Sequence, residues 1–116
     1  MKIINYTDIE PTAFDNDVAE NIKGRVLIGK DDGAFNFCMR LFEIEENGHT
    51  PMHTHEWEHE IFIHSGQGEV LCRDKWVPVS KGTALFIPDN EVHQIRNTSK
   101  ETLIFICLVP STAPEL

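Results

Sequence analysis

The chain has 116 residues, 41% hydrophobic and 25% charged, which is the length of one domain with an ordinary globular composition and excludes a disordered or collagen-like chain. Nineteen acids against ten bases give a formal net charge of −9, so nucleic acid and anionic membrane surfaces are repelled and are not expected as partners. The longest apolar run, Leu103 to Pro110, falls well short of the roughly 18 residues a membrane helix needs.

Met1–Gly24 is mixed and polar, with Pro11 and several acids. It reads as an N-terminal arm, which a partner subunit can take up as an added strand. Its opening, MKIINYTDIEP, lacks the apolar stretch of a secretory signal. Cys38, Cys72 and Cys107 are odd in number and far apart, which argues against a disulfide framework or a cysteine zinc site. A cytoplasmic location is expected from both features.

Residues 25–116 form the expected body of the domain. Short apolar stretches follow one another at Arg25–Ile28, Phe35–Ile44, Glu60–His64, Glu69–Arg73, Trp76–Val79, Thr83–Ile87, Val92–Arg96 and Leu103–Val109. Turn-forming clusters separate them, including Asp31-Asp32-Gly33, Glu46-Asn47-Gly48, Ser80-Lys81-Gly82 and Pro88-Asp89-Asn90. Many short strands at regular spacing, with no long helical period, predict an all-β sandwich or barrel. Thr83–Ile87 and Leu103–Val109 are apolar at nearly every position. Strands of that kind are covered on both faces, and a chain this short can hardly cover both itself, so a homodimer is expected.

His53-Thr54-His55 places two imidazoles on one side of an extended chain, because residues i and i+2 point the same way. His59 shares parity with Ile61 and Ile63, and His93 shares parity with Ile95 and Asn97. The four histidines are therefore the candidate metal ligands. His55-Glu56-Trp57-Glu58-His59 also matches the zinc-protease pattern His-Glu-x-x-His, but that pattern binds metal only on a helix. The flanking β-branched and aromatic residues predict extended chain here. His49 and His64 fall outside the cluster.

These residues resemble the two motifs of the cupin family. The first appears as Gly48, His53-Thr54-His55, His59 and Gly66; the second as Gly82, Pro88-Asp89-Asn90, His93 and Asn97. The resemblance covers Arg25 to Pro110 and implies a double-stranded β-helix, or jelly-roll, barrel. Asn90 stands where the motif has glycine, and asparagine tolerates the left-handed backbone the turn requires. His59 stands where many cupins have a ligating glutamate. Glu60 is the competing ligand, and a slip of one residue in register exchanges the two.

A set of four histidines, His53, His55, His59 and His93, suits one divalent transition metal rather than Mg or Ca. The resemblance implies Mn or Fe, with Zn, Ni, Co and Cu as alternatives, and a dioxygenase-type oxidoreductase acting on a small-molecule substrate. A non-catalytic binding or sensing protein, or a metal-dependent isomerase or lyase, are the other readings, since one fold serves many functions. Imidazoles must be neutral to ligate, so metal is expected to leave as pH falls through about 6. Arg40 interrupts an apolar strand. It either holds a carboxylate or enolate, or lies at the rim with its stem on apolar surface. Cys107 is either an inert buried thiol or, by its parity with Phe105, a wall of the cavity. Ile61, Ile95, Phe105 and Cys107 are the expected pocket residues. Cys38 and Cys72 are expected to be structural.

Overall fold

The computed structural model describes all 116 residues. Its strands are β1 (Thr12–Phe14), β2 (Glu20–Ile28), β3 (Phe37–His49), β4 (His59–Ser65), β5 (Gln67–Cys72), β6 (Lys75–Ser80), β7 (Ala84–Ile87), β8 (Ile95–Asn97) and β9 (Leu103–Pro110). All ladders are antiparallel, in the order β6-β5-β8-β3-β9-β4-β7, with β2 also paired to β3 and β1 to β2. The curled sheet is the expected jelly-roll barrel, and two single 3-10 turns are its only helix.

Strand parity builds the core. In β9, Leu103, Phe105, Cys107 and Val109 are buried while the residues between them are partly exposed. In β4, His59, Ile61 and Ile63 point in and Glu60, Phe62 and His64 point out. With Cys38, Ile44, Val70, Val79, Ile87 and Ile95, the inward apolar residues of β4 and β9 form one cluster, each large aliphatic member contributing roughly 1.5–3 kcal/mol by leaving water. The four polar residues in the buried set are Arg40, His59, His93 and Asn97. Asn97 is satisfied by the carbonyls of Ile44 and Glu101 at 2.9 and 2.7 Å, so it ties β8 to β3. Arg40, His59 and His93 line the cavity.

The structure differs from the sequence expectation at two elements. Asn47-Gly48 is expected to end a strand, yet β3 continues through it to His49. The register slips there, from Ile22↔Ile44 to Glu20↔His49, so the extra residues bulge out of the ladder with Asn47 at φ 65. Gly48 is required at this point: a β-carbon on it would lie 2.7 Å from the Glu20 carbonyl oxygen and 2.7 Å from Ile44. Second, β2 begins at Glu20, and β1 pairs with it within the same chain, Phe14 opposite Ile22. The faces of β7 and β9 that point outward are open in the single chain, with Phe86 61% exposed.

Candidate metal centre

His53 and His93 face each other across an isolated antiparallel bridge. Each backbone N–H donates to the other's carbonyl, at 3.1 and 3.0 Å. This joins the His53-Thr54-His55 segment to the strand entering β8 and brings the two rings to 4.6 Å between centroids. The ring of His55 lies 5.0 Å from that of His53 and 4.9 Å from that of His93. The ligand-type atoms of these three residues all lie within 4.8 Å of one another. Imidazole nitrogens hold a divalent ion at about 2.0–2.1 Å, so a small contraction of the cluster brings all three onto one ion.

Two of the rings are oriented through their second nitrogen. Nδ1 of His55 donates to the Trp57 carbonyl at 2.8 Å, and Nδ1 of His93 to the Glu91 carbonyl at 2.9 Å. Each bond fixes the tautomer that leaves the Nε2 lone pair free for a metal. The Trp57 ring also stacks on His55 at 4.3 Å and 5°, a contact with no signal in the motif. Asn90 holds the left-handed conformation at φ 61, and its N–H donates to the His55 carbonyl at 2.7 Å. The turn that family members build with glycine thus steadies a histidine here. No helix runs through His55–His59; the chain bends at Glu56-Trp57 and enters β4 at His59.

His59 adjoins this group from β4. Its ring is 4.4 Å from that of His55 and 5.1 Å from that of His93, and its Nε2 is 2.5 Å from Nε2 of His55. Its Nδ1 faces the Cys107 sulfur at 2.9 Å and Nη2 of Arg40 at 3.4 Å. Glu60 points outward on the other face of β4. His49 is half-buried and contacts Glu20 at 3.5 Å, and His64 is exposed; neither enters the cluster.

The centre favours neutral imidazoles. Burial pushes the His59 ring down to about 3, aided by the nearby charges of His55 and Arg40. Burial and the charges of His93 and His55 bring His53 to about 4. His55 and His93 are lowered chiefly by burial, against the pull of their carbonyl partners. The Cys107 thiol is raised by burial, which Arg40 opposes.

The histidines open on a cavity of about 230 Å³. His53, His59, His93 and Arg40, with Asn16 and Thr50, form its polar lining, and Ile61, Ile95, Phe105 and Cys107 part of its apolar wall. Arg40 is only 8% exposed, so it is a cavity residue and not a rim arginine. Sequence reasoning missed the mouth, where Phe14, Val18 and Leu116 converge from the two ends of the chain. Nothing local to those residues marks them; only the pairing of β1 with β2 brings Phe14 there.

Comparison with known proteins agrees with the fold. A family model described as Cupin domain matches residues 40–109. The polyketide cyclase RemF from Streptomyces resistomycificus superposes with a TM-score of 0.91 and 34% identity, over 98% of this chain and 82% of that one. A predicted oxalate decarboxylase from Thermotoga maritima shares the fold at 23% identity and a TM-score of 0.84, over 94% of this chain and 98% of the other. The 1-methylthio-D-xylulose 5-phosphate methylsulfurylase of Rhodospirillum rubrum is 30% identical over 71 residues, 61% of this chain. The match spans 46% of that curated relative, about half its length.

Proposed function

The chain belongs to the cupin family, and we propose that it is a metal-dependent enzyme acting on a small, largely apolar molecule. One observation carries this reading: His53, His55 and His93 converge beside a cavity whose remaining walls are mainly apolar. We assign His59 as the fourth ligand, since its Nε2 points at that of His55 and its ring adjoins His93. A bound transition metal, Mn or Fe first and Zn, Ni, Co or Cu as alternatives, supplies Lewis acidity toward a substrate oxygen and, where redox-active, electron transfer.

The chain's own residues do the rest. Trp57 and the Glu91 carbonyl hold two imidazoles in their ligating orientation. Ile61, Ile95 and Phe105 exclude water and pack against the substrate body. Phe42 stacks on Phe105 at 5.5 Å, extending an aromatic wall suited to a planar ligand. The likeness to a polyketide cyclase at 34% identity favours metal-polarised carbonyl or enol chemistry. Dioxygenase-type oxidation is the second reading, supported by an all-imidazole donor set that suits redox-active ions. We also propose that the chain works as a homodimer and, with all three cysteines free, in the reducing cytoplasm.

The test is the metal content of tag-free protein by mass spectrometry. We expect near one equivalent in the parent and in Glu60→Ala, and loss in His93→Ala and His59→Ala. Metal retained in His59→Ala reduces the ligand set to three histidines. A parent that holds no metal and cannot be loaded ends the enzyme reading and leaves a metal-independent binding protein. Conversion of an enolisable diketone by zinc-loaded protein without oxygen, absent from His93→Ala, supports the carbonyl branch; conversion only with Fe or Mn and with oxygen uptake supports the other.

A further inference from the structure

Three arginines approach other groups closely, and one of them stands apart. Arg25 pairs with Glu43, and Arg96 pairs with Glu69 at 2.6 Å. Arg40 is the most buried of the three, at 8% exposure, yet no carboxylate lies within ion-pair distance of it. Its Nη2 donates to the Cys107 sulfur at 3.0 Å, and its guanidinium lies 5.1 Å from the centre of the Phe42 ring. Its Nε is buried without any partner. A guanidinium stays charged at every physiological pH, and a buried charge is costly unless something of opposite sign compensates it. A sulfur and an aromatic face compensate it in part. The remainder faces the cavity that the histidines share.

We propose that Arg40 is the specificity residue of this cavity, and that the ligand it selects is a carboxylate on a planar apolar body. The carboxylate completes the missing ion pair, and the ring lies along Phe42, Phe105 and Ile95. Because Nη2 of Arg40 is 3.4 Å from Nδ1 of His59, a ligand anchored there extends directly toward the histidine cluster. A cavity of about 230 Å³ exceeds the roughly 150 Å³ of an engineered cavity that holds benzene, which suits a substituted ring or a small fused pair. The proposal rests on the reading of this cavity as the substrate site.

The probes are 2-naphthoate and its neutral counterpart 2-naphthamide, titrated by calorimetry at pH 8, where imidazole is uncharged. The full chain is used as purified and again after chelation. We expect naphthoate to bind at least tenfold more tightly than the amide in both states. Arg40→Met keeps an unbranched apolar stem and removes the charge, and we expect the two probes to become equal; Arg40→Lys keeps part of the preference. Equal affinity in the parent, no saturable binding of either probe, or a preference that survives in Arg40→Met overturns the proposal. Should Arg40→Met fail to fold, the parent and Arg40→Lys titrations still decide. Metal content measured on the same samples separates the two ideas. A parent unable to hold metal but selective for the carboxylate removes the enzyme reading and keeps Arg40. A metal-loaded parent without selectivity removes Arg40 and keeps the enzyme.

Discussion

Each imidazole of the centre is held by its neighbours in a state that differs from its state in the unfolded chain. An exposed histidine takes a proton near 6.5, whereas burial lowers folded His59 to about 3 and His53 to about 4. Between those values the unfolded chain binds more protons than the folded one, so folding stability falls as pH falls. Above about 7 both states are neutral at these positions and the contribution is flat. Chelated protein is therefore expected to show a constant melting temperature at pH 7–8, dropping steadily between pH 6.5 and about 4. A melting temperature that rises on acidification through this window contradicts histidines held neutral by the fold. The same shift moves metal release. Sequence alone predicts loss near pH 6, the value for ordinary imidazoles. Rings that resist protonation compete less with the ion, so dialysis across a pH series is expected to show metal retained at pH 5.5 and released below about 5.

The bulge in β3 decides where the histidine segment leaves the sheet. Gly48 sits 2.7 Å, by its would-be β-carbon, from both the Glu20 oxygen and Ile44, so Gly48→Ala forces strands β2 and β3 apart. Overpacking of this kind costs about 1–3 kcal/mol, and we expect the melting temperature to fall by roughly 4–12 °C at the usual conversion for a domain of this size. Metal affinity falls with it, because His49 and Thr50 carry the chain on to His53; an unchanged melt refutes the close approach. β9 is legible in sequence only as the apolar run Leu103–Val109, whereas the alternation of β4 is legible because one of its faces is dry. The parity of His53, His55, His59 and His93 is legible for the same reason. The hairpin between β5 and β6 is less so: Arg73 and Asp74 both have left-handed backbone, at φ 50 and 65, in a two-residue turn usually written Asn-Gly. The three residues of β1 carry no period at all. The burial of Arg40 was hidden because Arg40 and Leu41, consecutive residues on opposite faces of β3, are both buried, so the alternation that marks an inward residue is lost.

At the scale of the whole molecule, the outer face of β4, β7 and β9 has no partner. Phe62 and Phe86 are 50% and 61% exposed. Phe62 lies in register with Ala84 on one side and Ile106 on the other, and Leu108 lies beside Glu60. An aromatic side chain buries about 150–250 Å² when covered, and a stable interface needs about 800 Å² from each partner. Two phenylalanines with Ala84, Ile106 and Leu108 supply the centre of such a patch. A twofold axis through it sets the same apolar face against itself and requires no second protein. It also sets few like charges against each other, which matters for a chain of net charge −9: Glu60, between Phe86 and Leu108, is the one acid among the outward residues of these three strands. Sedimentation equilibrium is expected to give twice the 13.3 kDa chain mass, and Phe62→Ser with Phe86→Ser to give the monomer while retaining the histidine cluster's metal. The metal is expected to survive because both side chains point away from the cavity that His59 and Ile61 face. A parent that sediments as a monomer at high concentration leaves the apolar face without a second copy to cover it. A double variant that stays dimeric moves the interface elsewhere on the barrel.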